Sequence, residues 1–494
     1  MVTFVFVVVH LLPFFFQRKK YVCIKESEMF LKYFCFLLLF CGTFGSEKSK
    51  DDRCFCQLTG QIDDCFCDIE TLEKFNNEQV FPILSELVKQ DFFRYYKVNL
   101  FKQCKYFDGD IGLCENESCG VKICAEEDIP VGLRNGNFNK PTYDESQASD
   151  TECTKRTTLG DINGTLSNVT MDVLDSWDKH DDTTYQFCDI DDESSTNLYY
   201  IDLLANPERY TGYKGPMAWR IWKAIYEENC FSPDTMTRNI NPIFGNVPVG
   251  KSGKHVQISS SDLQGMCLEK RIFYRVISGL HTSINTHLSA EYLFEDGWGE
   301  QHWGPNLAEF QRRFDPQQTK QEGPVRLKNL YLTYLLELRA LSKATSYFTS
   351  EDFVLFTGNK KKDKKTKEML TSLLDHTKNF PMHFDEGLMF KDKNAKLLKK
   401  EFVDRFLNVT RIIDCVTCEK CRLWGKLQTK GLGTALKILF SEKEIDGDGK
   451  PFRLVRQEVV SLVNGFARLS KSIKYLDMFH KMHVEQDKER KDEL

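Results

Sequence analysis

Apolar positions recur at helical spacing in three long stretches of the chain. In residues 268–292 the apolar side chains are three to five positions apart, and residues 327–341 and 455–476 carry similar stripes. This spacing puts the apolar side chains on one face of an α-helix, where they can pack against other helices. Strand-like alternation is sparse outside 54–67, where we expect a hairpin. The pattern predicts a mainly α, single-domain protein whose helical core spans 200–484.

Two other stretches lack this pattern. Residues 131–187 are rich in Asp, Ser, Thr and Asn and have few apolar positions, which is typical of a long mobile loop. Residues 360–367 (KKKDKKTK) form a basic run, which we expect to be a solvated surface loop. The whole chain has a net charge of −5, so its composition does not indicate a nucleic-acid partner.

The start of the chain contains two apolar runs. The second, residues 29–44, has the early lysine, apolar centre and small-residue end of a secretory signal. Residues 1–28 are then an upstream extension, and Met29 is an alternative start. The competing interpretation is that the first run, 1–16, is itself a signal-anchor.

The last four residues, 491–494, read KDEL, which matches the address for retention in the endoplasmic reticulum. We therefore expect an extension and signal peptide over 1–45, one domain over 46–490, and a location in the lumen, where disulfides form. Four Asn-x-Ser/Thr sequons fit this compartment: Asn116, Asn163, Asn168 and Asn408.

The chain has 18 cysteines among 494 residues, although a chain of this length can bury an ample core without the support of disulfide bonds. This excess favours redox or metal chemistry. Two C-x-C pairs are nested about Gly60-Gln61, and a tight hairpin there would bring the pairs into register. The structural bridges expected from these positions and from flanking helical sequence are Cys54–Cys67, Cys56–Cys65 and Cys230–Cys267.

The sequence Cys418-Glu419-Lys420-Cys421 can close a small disulfide ring and open it again. The following Arg422, Lys426 and Lys430 supply positive charge that would favour a thiolate. Cys415 adds a third thiol, but no fourth ligand follows at zinc-finger spacing, so we expect no metal.

A second candidate dithiol is Cys114-x4-Cys119, which lies among acidic and turn-forming residues. Such an exposed disulfide exchanges readily with thiols. Cys119-x4-Cys124 repeats the spacing, so alternative pairings are available. A relay of two disulfides needs an electron acceptor, yet Gly431-Leu432-Gly433-Thr434 lacks the third glycine of a dinucleotide fingerprint. Composition and spacing alone do not place a cofactor.

Residues 415–442 (CVTCEKCRLWGKLQTKGLGTALKILFSE) resemble the active-site region of the endoplasmic oxidoreductin family, the flavin-dependent thiol oxidases of the endoplasmic reticulum. The likeness covers nearly all of 53–484. It implies a single helical domain that holds FAD in a helix bundle, oxidises protein disulfide isomerase and passes electrons to oxygen, releasing hydrogen peroxide. The other matching segments are 53–70, 91–100, 206–222, 277–285, 311–315 and 323–331.

The resemblance also assigns roles to residues. Cys418 and Cys421 match the inner pair beside the flavin, and Cys114 and Cys119 match the outer shuttle pair, within a shuttle and regulatory region over 104–188. The bridge implied between this loop and the core is Cys104–Cys415, and the implied regulatory bridges are Cys114–Cys153 and Cys119–Cys124. The positions that match FAD contacts are Arg209, Thr211, Trp222, Ser278, His281, Arg313 and Arg326.

We expect the protein to be a monomer. Peripheral association with the lumenal face of the membrane is an alternative that the sequence leaves open. The competing hypothesis is a zinc-stabilised or disulfide-stapled lumenal binding protein without turnover. The absorption spectrum separates the two, because a flavoprotein is yellow.

Overall fold

A computed structural model describes the parts of the chain on which the following sections rest. The described residues are 61–65, 67–107, 119–134, 187, 198–208, 215–229, 231, 266–295, 299–351, 353–380, 384–391, 394–441 and 454–492. All of them belong to one compact unit, residues 55–494.

Helices dominate the described residues. The α-helices are α1 (Ile69–Phe75), α2 (Phe81–Leu87), α3 (Asp91–Arg94), α4 (Val131–Arg134), α5 (Gly215–Glu227), α6 (Leu268–Ala290), α7 (Leu307–Phe314), α8 (Glu322–Lys343), α9 (Thr345–Thr349), α10 (Lys360–Asn379), α11 (Ala395–Ile412), α12 (Glu419–Phe440) and α13 (Arg456–Asp492). A π-helical turn, Asn76–Val80, joins α1 to α2, and 3-10 turns span Glu126–Asp128, Glu386–Leu388 and Ile413–Cys415.

Two short antiparallel strand pairs accompany the helices. Strand β1 (Tyr95–Val98) pairs with β2 (Tyr199–Asp202), with Tyr96 opposite Ile201. Strand β3 (Tyr292–Glu295) pairs with β4 (Gln301–Gly304). The mainly α class predicted from the sequence is therefore confirmed.

Helices α6, α8, α12 and α13 pack together, and we call these four helices the bundle. Their apolar side chains are buried: Ile277, Leu330, Leu436 and Phe466 are at most 1% exposed, and the sequence pattern identifies the stripes of α6, α8 and α13. Apolar burial of this kind is the dominant favourable contribution to folding. The bundle is therefore the core of the described structure.

Two glycines allow the bundle helices to approach closely. A Cβ atom on Gly279 of α6 would lie 2.5 Å from the carbonyl oxygen of Asn329 in α8. A Cβ atom on Gly431 of α12 would lie 2.3 Å from the carbonyl oxygen of Ser461 in α13. The glycine-containing stretch at 431–434 therefore belongs to a helix crossing in the core.

Outside the bundle, α11 adds an aromatic cluster. Phe402 of α11 packs edge-on against Phe273 of α6, with ring centroids 4.9 Å apart, and both side chains are buried. Phe187 contributes a third ring, 6.1 Å from Phe402. This cluster ties α11 to α6, and the cavity described below lies along the same pair of helices.

The basic run at 360–367 is helical, so the expected loop is wrong. It forms the start of α10, where the Asn359 side chain accepts a hydrogen bond from the Lys362 backbone amide at 3.1 Å and so caps the helix. Lys367 turns inward and donates to the carbonyl oxygens of Phe348 and Phe353. Lysine has a high helix propensity, so a capped lysine-rich run can be helical.

The hairpin expected at 54–67 turns at a different place in its described part. Gln61 bridges Asp68, and the Ile62 amide donates to the Cys67 carbonyl, so the turn lies at 62–65 and not at Gly60-Gln61. Asp64 adopts a left-handed conformation with φ +63°. Asp64 accepts hydrogen bonds from Arg271 at 2.7 Å and from Arg275 at 2.8 Å, which hold this turn against α6.

The described part of the chain contains no helix with both the length and the apolar character needed to cross a membrane.

Candidate active site

The C-x-x-C motif lies where α12 begins. Cys418 and Cys421 are joined by a disulfide with a Cα–Cα distance of 5.2 Å, and both side chains are buried. Cys418 is the N-cap of the 22-residue helix, and its Sγ accepts a hydrogen bond from the Cys421 amide at 3.2 Å. The positive end of a helix dipole stabilises a thiolate, so this position suits reversible disulfide chemistry.

The basic side chains that follow the motif have other partners. Lys426 forms an ion pair with Asp414, and Lys430 donates to Gln457 at 3.2 Å. Arg422 donates to the carbonyl oxygens of Val416 and Leu100.

Lys426 and Lys430 follow Cys418 by eight and twelve residues, which is about 12 and 18 Å along the helix axis. The expectation that they stabilise the thiolate is therefore corrected, and the start of the helix supplies the local positive potential instead.

A second disulfide fixes the approach to the motif. Cys104 and Cys415 are bonded with a Cα–Cα distance of 4.5 Å across 311 residues of sequence. Cys415 ends the 3-10 turn Ile413–Cys415, three residues before Cys418. The bridge therefore ties the first residue of the shuttle region to the turn that precedes α12.

Cys119 packs directly against the inner pair. Its side chain is 3% exposed and forms one buried cluster with Cys418 and Cys421, against which Val416 also packs. Cys119 is itself disulfide-bonded. We call residues 119–134 the cysteine segment, because this stretch carries Cys119 and Cys124 up to the end of α4.

An apolar cavity adjoins the inner pair. It is partly open to solvent and lies between α5, α6, α11 and α12. Cys421 and Gln428 of α12 line it together with Trp222 of α5 and Leu280 of α6. Cys421 therefore packs in the cluster with Cys119 and also lines the cavity.

An aromatic stack lies beside this cavity. The Trp222 ring stacks on His281 with a centroid distance of 3.7 Å, and the His281 Nδ1 is 3.0 Å from the Tyr226 hydroxyl. Burial raises the pKa of Tyr226, which the hydrogen bond with Ser278 and the nearby Arg326 charge partly offset. Four sequence-predicted cofactor residues therefore meet around Tyr226.

Arg313 lies on α7 and faces α6. Its guanidinium donates to Glu309 at 2.6 Å and to the Asn285 side chain at 2.6 Å. Hydrogen bonding from Arg312 and the charge of Arg313 lower the pKa of Glu309 to about 2, so its carboxylate holds Arg313 in place at neutral pH. Asn285 follows His281 by one helical turn on α6.

The remaining predicted positions divide into two groups. Those outside the described residues are Cys54, Cys56, Cys114, Cys153, Cys230, Arg209 and Thr211. Those with free thiols in this structure are Cys65, Cys67, Cys124 and Cys267. Because Cys119 is bonded elsewhere, the Cys119–Cys124 bridge is not formed in this state. The bridges expected at Cys65, Cys67 and Cys267 are not formed in this structure either, and the Cys114–Cys153 bridge stays a prediction.

Several residues around the site escaped the sequence reasoning. Tyr226 lies four residues after Trp222 on the same face of α5, a spacing that would have indicated it. Asn206 and Glu419 interact with the backbone of the cysteine segment, and no spacing rule points to contacts between residues so distant in sequence.

The fold and the site define a class of protein. A helix bundle carries a C-x-x-C disulfide at a helix start, a second bonded cysteine packs on it, and an apolar cavity adjoins it. This is the arrangement of a helical dithiol redox protein.

Comparison with known proteins identifies the family. Residues 79–476 match the model of the family Endoplasmic Reticulum Oxidoreductin 1 (ERO1), and the chain belongs to this family. It is 50% identical to ERO1-like protein alpha of Rattus norvegicus over 446 residues, covering 89% of this chain and 94% of the relative. It is 41% identical to the Ero1-like protein of Drosophila melanogaster over 476 residues, covering 90% and 95%.

Solved structures agree with this assignment. A structure of Ero1p described as the source of disulfide bonds for oxidative protein folding in the cell superposes with a TM-score of 0.53 at 32% identity. The match covers 85% of this chain and 99% of that one. A mutant of S. cerevisiae Ero1p matches with a TM-score of 0.54 at 33% identity, covering 85% and 99%.

Proposed function

We propose that this protein is an FAD-dependent thiol oxidase of the endoplasmic reticulum that reoxidises protein disulfide isomerase and forms hydrogen peroxide from oxygen. The observation that carries the proposal is the position of the inner pair. Cys418 and Cys421 pack against Cys119, and Cys421 also lines an apolar cavity. Electrons can therefore enter the pair from Cys119 and leave it toward the cavity.

The exchange steps need only thiols and disulfides. A thiolate of the reduced isomerase attacks Cys114, breaks the Cys114–Cys119 bond and leaves a thiolate on Cys119. The second isomerase thiol then attacks the mixed disulfide, so the isomerase becomes oxidised and Cys114 becomes a thiol. The Cys119 thiolate attacks Cys418 and releases the Cys421 thiolate, and Cys114 displaces Cys418 to re-form the outer disulfide.

The cavity fits a flavin by the chemistry of its walls. Its lining is mostly apolar, and the stacked Trp222 and His281 offer aromatic surface for a planar ring system. The cofactor residues that we assign are Arg209, Thr211, Trp222, Ser278, His281, Arg313 and Arg326. FAD, when bound, accepts the two electrons of the Cys418/Cys421 dithiol and passes them to oxygen.

The competing zinc-binding interpretation is weakened by the state of the third cysteine cluster. Cys415 is bonded to Cys104, and Cys418 is bonded to Cys421. A zinc ligand must be a thiolate, so none of these sulfurs is available to a metal in this state.

A spectrum and one substitution test the proposal. The purified protein should be yellow and should consume oxygen with reduced protein disulfide isomerase. Cys421→Ala should lower this rate at least 100-fold with flavin still bound, because it removes the sulfur that lines the cavity. Cys188→Ala, at the one cysteine beyond the signal region without an assigned role, serves as the control. A colourless wild-type protein, or normal turnover of Cys421→Ala, would overturn the proposal.

We also propose that Cys114–Cys153 and Cys119–Cys124 bridges switch the enzyme off. Cys124 follows Cys119 by five residues on the cysteine segment, and burial raises the pKa of its thiol. A thiol with a raised pKa exchanges slowly, which suits a regulatory cysteine more than a catalytic one.

Opening the switch should increase activity. Cys153→Ala should raise basal oxygen consumption a few-fold, because Cys114 would then remain free to pair with Cys119. The initial rate without prior reduction is the measurement, and a rate equal to that of the wild type would contradict the switch.

The location and partners follow from the same proposal. We place the oxidase domain, 46–490, in the lumen as a monomer. Its substrates are the isomerase and oxygen, and any association with the membrane face is peripheral. Membership of the ERO1 family supports this location.

A further inference from the structure

Next to Cys119, the backbone of the cysteine segment makes polar contacts with side chains from distant parts of the chain. The Lys122 amide donates to the Asn206 side-chain oxygen at 2.7 Å, and the Asn206 side-chain nitrogen donates back to the Lys122 carbonyl at 2.9 Å. This reciprocal pair satisfies both polar groups of one backbone unit, as a neighbouring strand would. The Lys122 side chain is exposed, so the backbone alone is held.

Asn206 is fixed on its other side. Its side-chain nitrogen also donates to the main-chain carbonyl of Asp202 at 3.0 Å. The main-chain carbonyl of Asn206 accepts from the Trp424 indole nitrogen at 2.9 Å. Asn206 is 1% exposed, so these bonds form away from water, where an unpaired amide is costly. Trp424 lies on α12, three residues after Cys421. Asn206 therefore connects the cysteine segment to the helix that carries the inner pair.

A second contact comes from inside the C-x-x-C motif. The Glu419 Oε2 accepts a hydrogen bond from the Val121 amide at 2.9 Å. Glu419 lies between the two inner cysteines, and Val121 lies two residues after Cys119. A charge-assisted bond to a backbone amide is among the stronger hydrogen bonds in proteins.

The far end of the cysteine segment is anchored as well. The Gly132 amide donates to the Thr357 carbonyl at 3.0 Å, and the Tyr200 hydroxyl donates to the Leu133 carbonyl at 2.7 Å. A Cβ atom on Gly132 would lie 2.6 Å from the Gly358 amide nitrogen, so this contact needs a glycine. The segment is thus held at both of its ends.

We infer that Asn206 and Glu419 are positioning residues for dithiol exchange, because together they hold the backbone of residues 121–122 against the start of α12 and keep the Cys119 sulfur beside the Cys418–Cys421 pair. This inference rests on the proposed function, in which Cys119 exchanges with Cys418. Neither residue touches the reacting sulfurs through its functional group in this scheme. Their contribution is proximity, and small misplacements of reacting groups can cost about 100-fold in rate.

The inference is tested by an exchange step that needs neither flavin nor oxygen. In a full-length Cys124→Ala/Cys421→Ala background, Cys418 has a thiol and Cys124 cannot compete for Cys119. The Cys418 thiolate attacks Cys119, breaks its existing disulfide, forms a Cys119–Cys418 bond and releases one thiolate. Raising the pH from 5 to 7.5 starts the reaction, and peptide mass spectrometry of acid-quenched samples measures the new bond.

We expect Asn206→Ala or Glu419→Ala in this background to slow formation of the Cys119–Cys418 bond at least tenfold. Glu419→Gln should recover the rate to within about threefold, because the amide oxygen can still accept from Val121. A purely structural role of Glu419 would not separate the alanine and glutamine variants in this way.

Asn76→Ala is the matched control. Asn76 is fully buried and exchanges hydrogen bonds with Ser470, away from the cysteines. It should lower the melting temperature without changing the exchange rate. The inference would be overturned if Asn206→Ala and Glu419→Ala formed the bond as fast as the Cys124→Ala/Cys421→Ala parent. It would also be overturned if that parent did not form the Cys119–Cys418 bond. Failure of the proposed function is recognised separately, by a colourless wild-type protein.

Discussion

The bundle and the cysteine segment are held in place by different forces. The four bundle helices bury apolar side chains and cross at glycines, where backbones approach closely. The cysteine segment is instead held near Cys119 by its own backbone amides, which donate to the side chains of Asn206 and Glu419. Both regions meet at α12, which contributes Gly431 to the bundle and Cys418 to the cysteine cluster.

This difference suits the separate tasks of the two regions. Apolar packing is dense and resists rearrangement, which is appropriate for a cofactor cavity. Backbone hydrogen bonds to a few side chains are individually worth about 1 kcal/mol, so a segment held by them can open and close again. Changes in the bundle should therefore affect stability, whereas changes around the cysteine segment should affect exchange.

The largest effect on stability is expected at the crossing of α12 and α13. Gly431→Ala would place a Cβ atom 2.3 Å from the Ser461 carbonyl oxygen, and backbone cannot move away easily. We expect a loss of about 3 kcal/mol in the free energy of unfolding, at the upper end of the usual cost of overpacking. Chemical denaturation measures it.

Gly465→Ala is the control for this substitution. Its Cβ atom would have its nearest neighbours at 3.6 Å, which is an ordinary contact. This variant should be neutral or slightly more stable, because alanine favours a helix over glycine by about 1 kcal/mol. Equal losses at Gly431 and Gly465 would show that helix crossing distance does not limit the bundle.

A smaller effect is expected from Glu337, a carboxyl buried in the bundle without a hydrogen-bond partner among the described residues. Burial raises the pKa of Glu337 well above its usual value, so the folded protein keeps it protonated. The unfolded chain ionises above about pH 4.3, and stability is therefore lost as the pH rises beyond that value. Glu337→Met should raise the free energy of unfolding by about 2 kcal/mol at pH 7.5.

The pH dependence distinguishes this explanation from simple repacking. The advantage of Glu337→Met should shrink toward pH 5, because the unfolded wild-type chain is then less ionised. Glu337→Gln should also remove the pH dependence while it keeps a buried polar group. A gain that is the same at pH 5 and 7.5 would indicate that ionisation of Glu337 is not involved.

The smallest effect on stability is expected at the junction of the two regions. Trp424→Phe keeps the aromatic ring but removes the indole N–H that donates to the Asn206 carbonyl. We expect a loss of about 1 kcal/mol in the free energy of unfolding. The rate of Cys119–Cys418 bond formation should fall a few-fold. A large stability loss with unchanged exchange would mean that Trp424 belongs functionally to the bundle.

Much of the fold could be predicted from local patterns. The apolar stripes at 268–292, 327–341 and 455–476 correspond to α6, α8 and α13, because helical periodicity is a local property of the chain. The basic run at 360–367 was misjudged, since charge alone does not distinguish a solvated loop from the exposed face of a capped helix.

The candidate site was less accessible to sequence reasoning. The C-x-x-C spacing identified Cys418 and Cys421 as a redox pair, and the likeness to a family suggested where a flavin would bind. Spacing alone misjudged Lys426 and Lys430, because an ion pair with Asp414 and a hydrogen bond to Gln457 engage them elsewhere.

The sequence by itself determined the helical class and the cysteine motif, because periodicity and short spacings are written in neighbouring residues. Only the tertiary structure decided that Cys119 packs on the inner pair, that Cys421 also lines a cavity, and that Asn206 spans from Lys122 to Trp424. These contacts join residues up to about 300 positions apart. They depend on how the helices pack, and no local pattern encodes that packing.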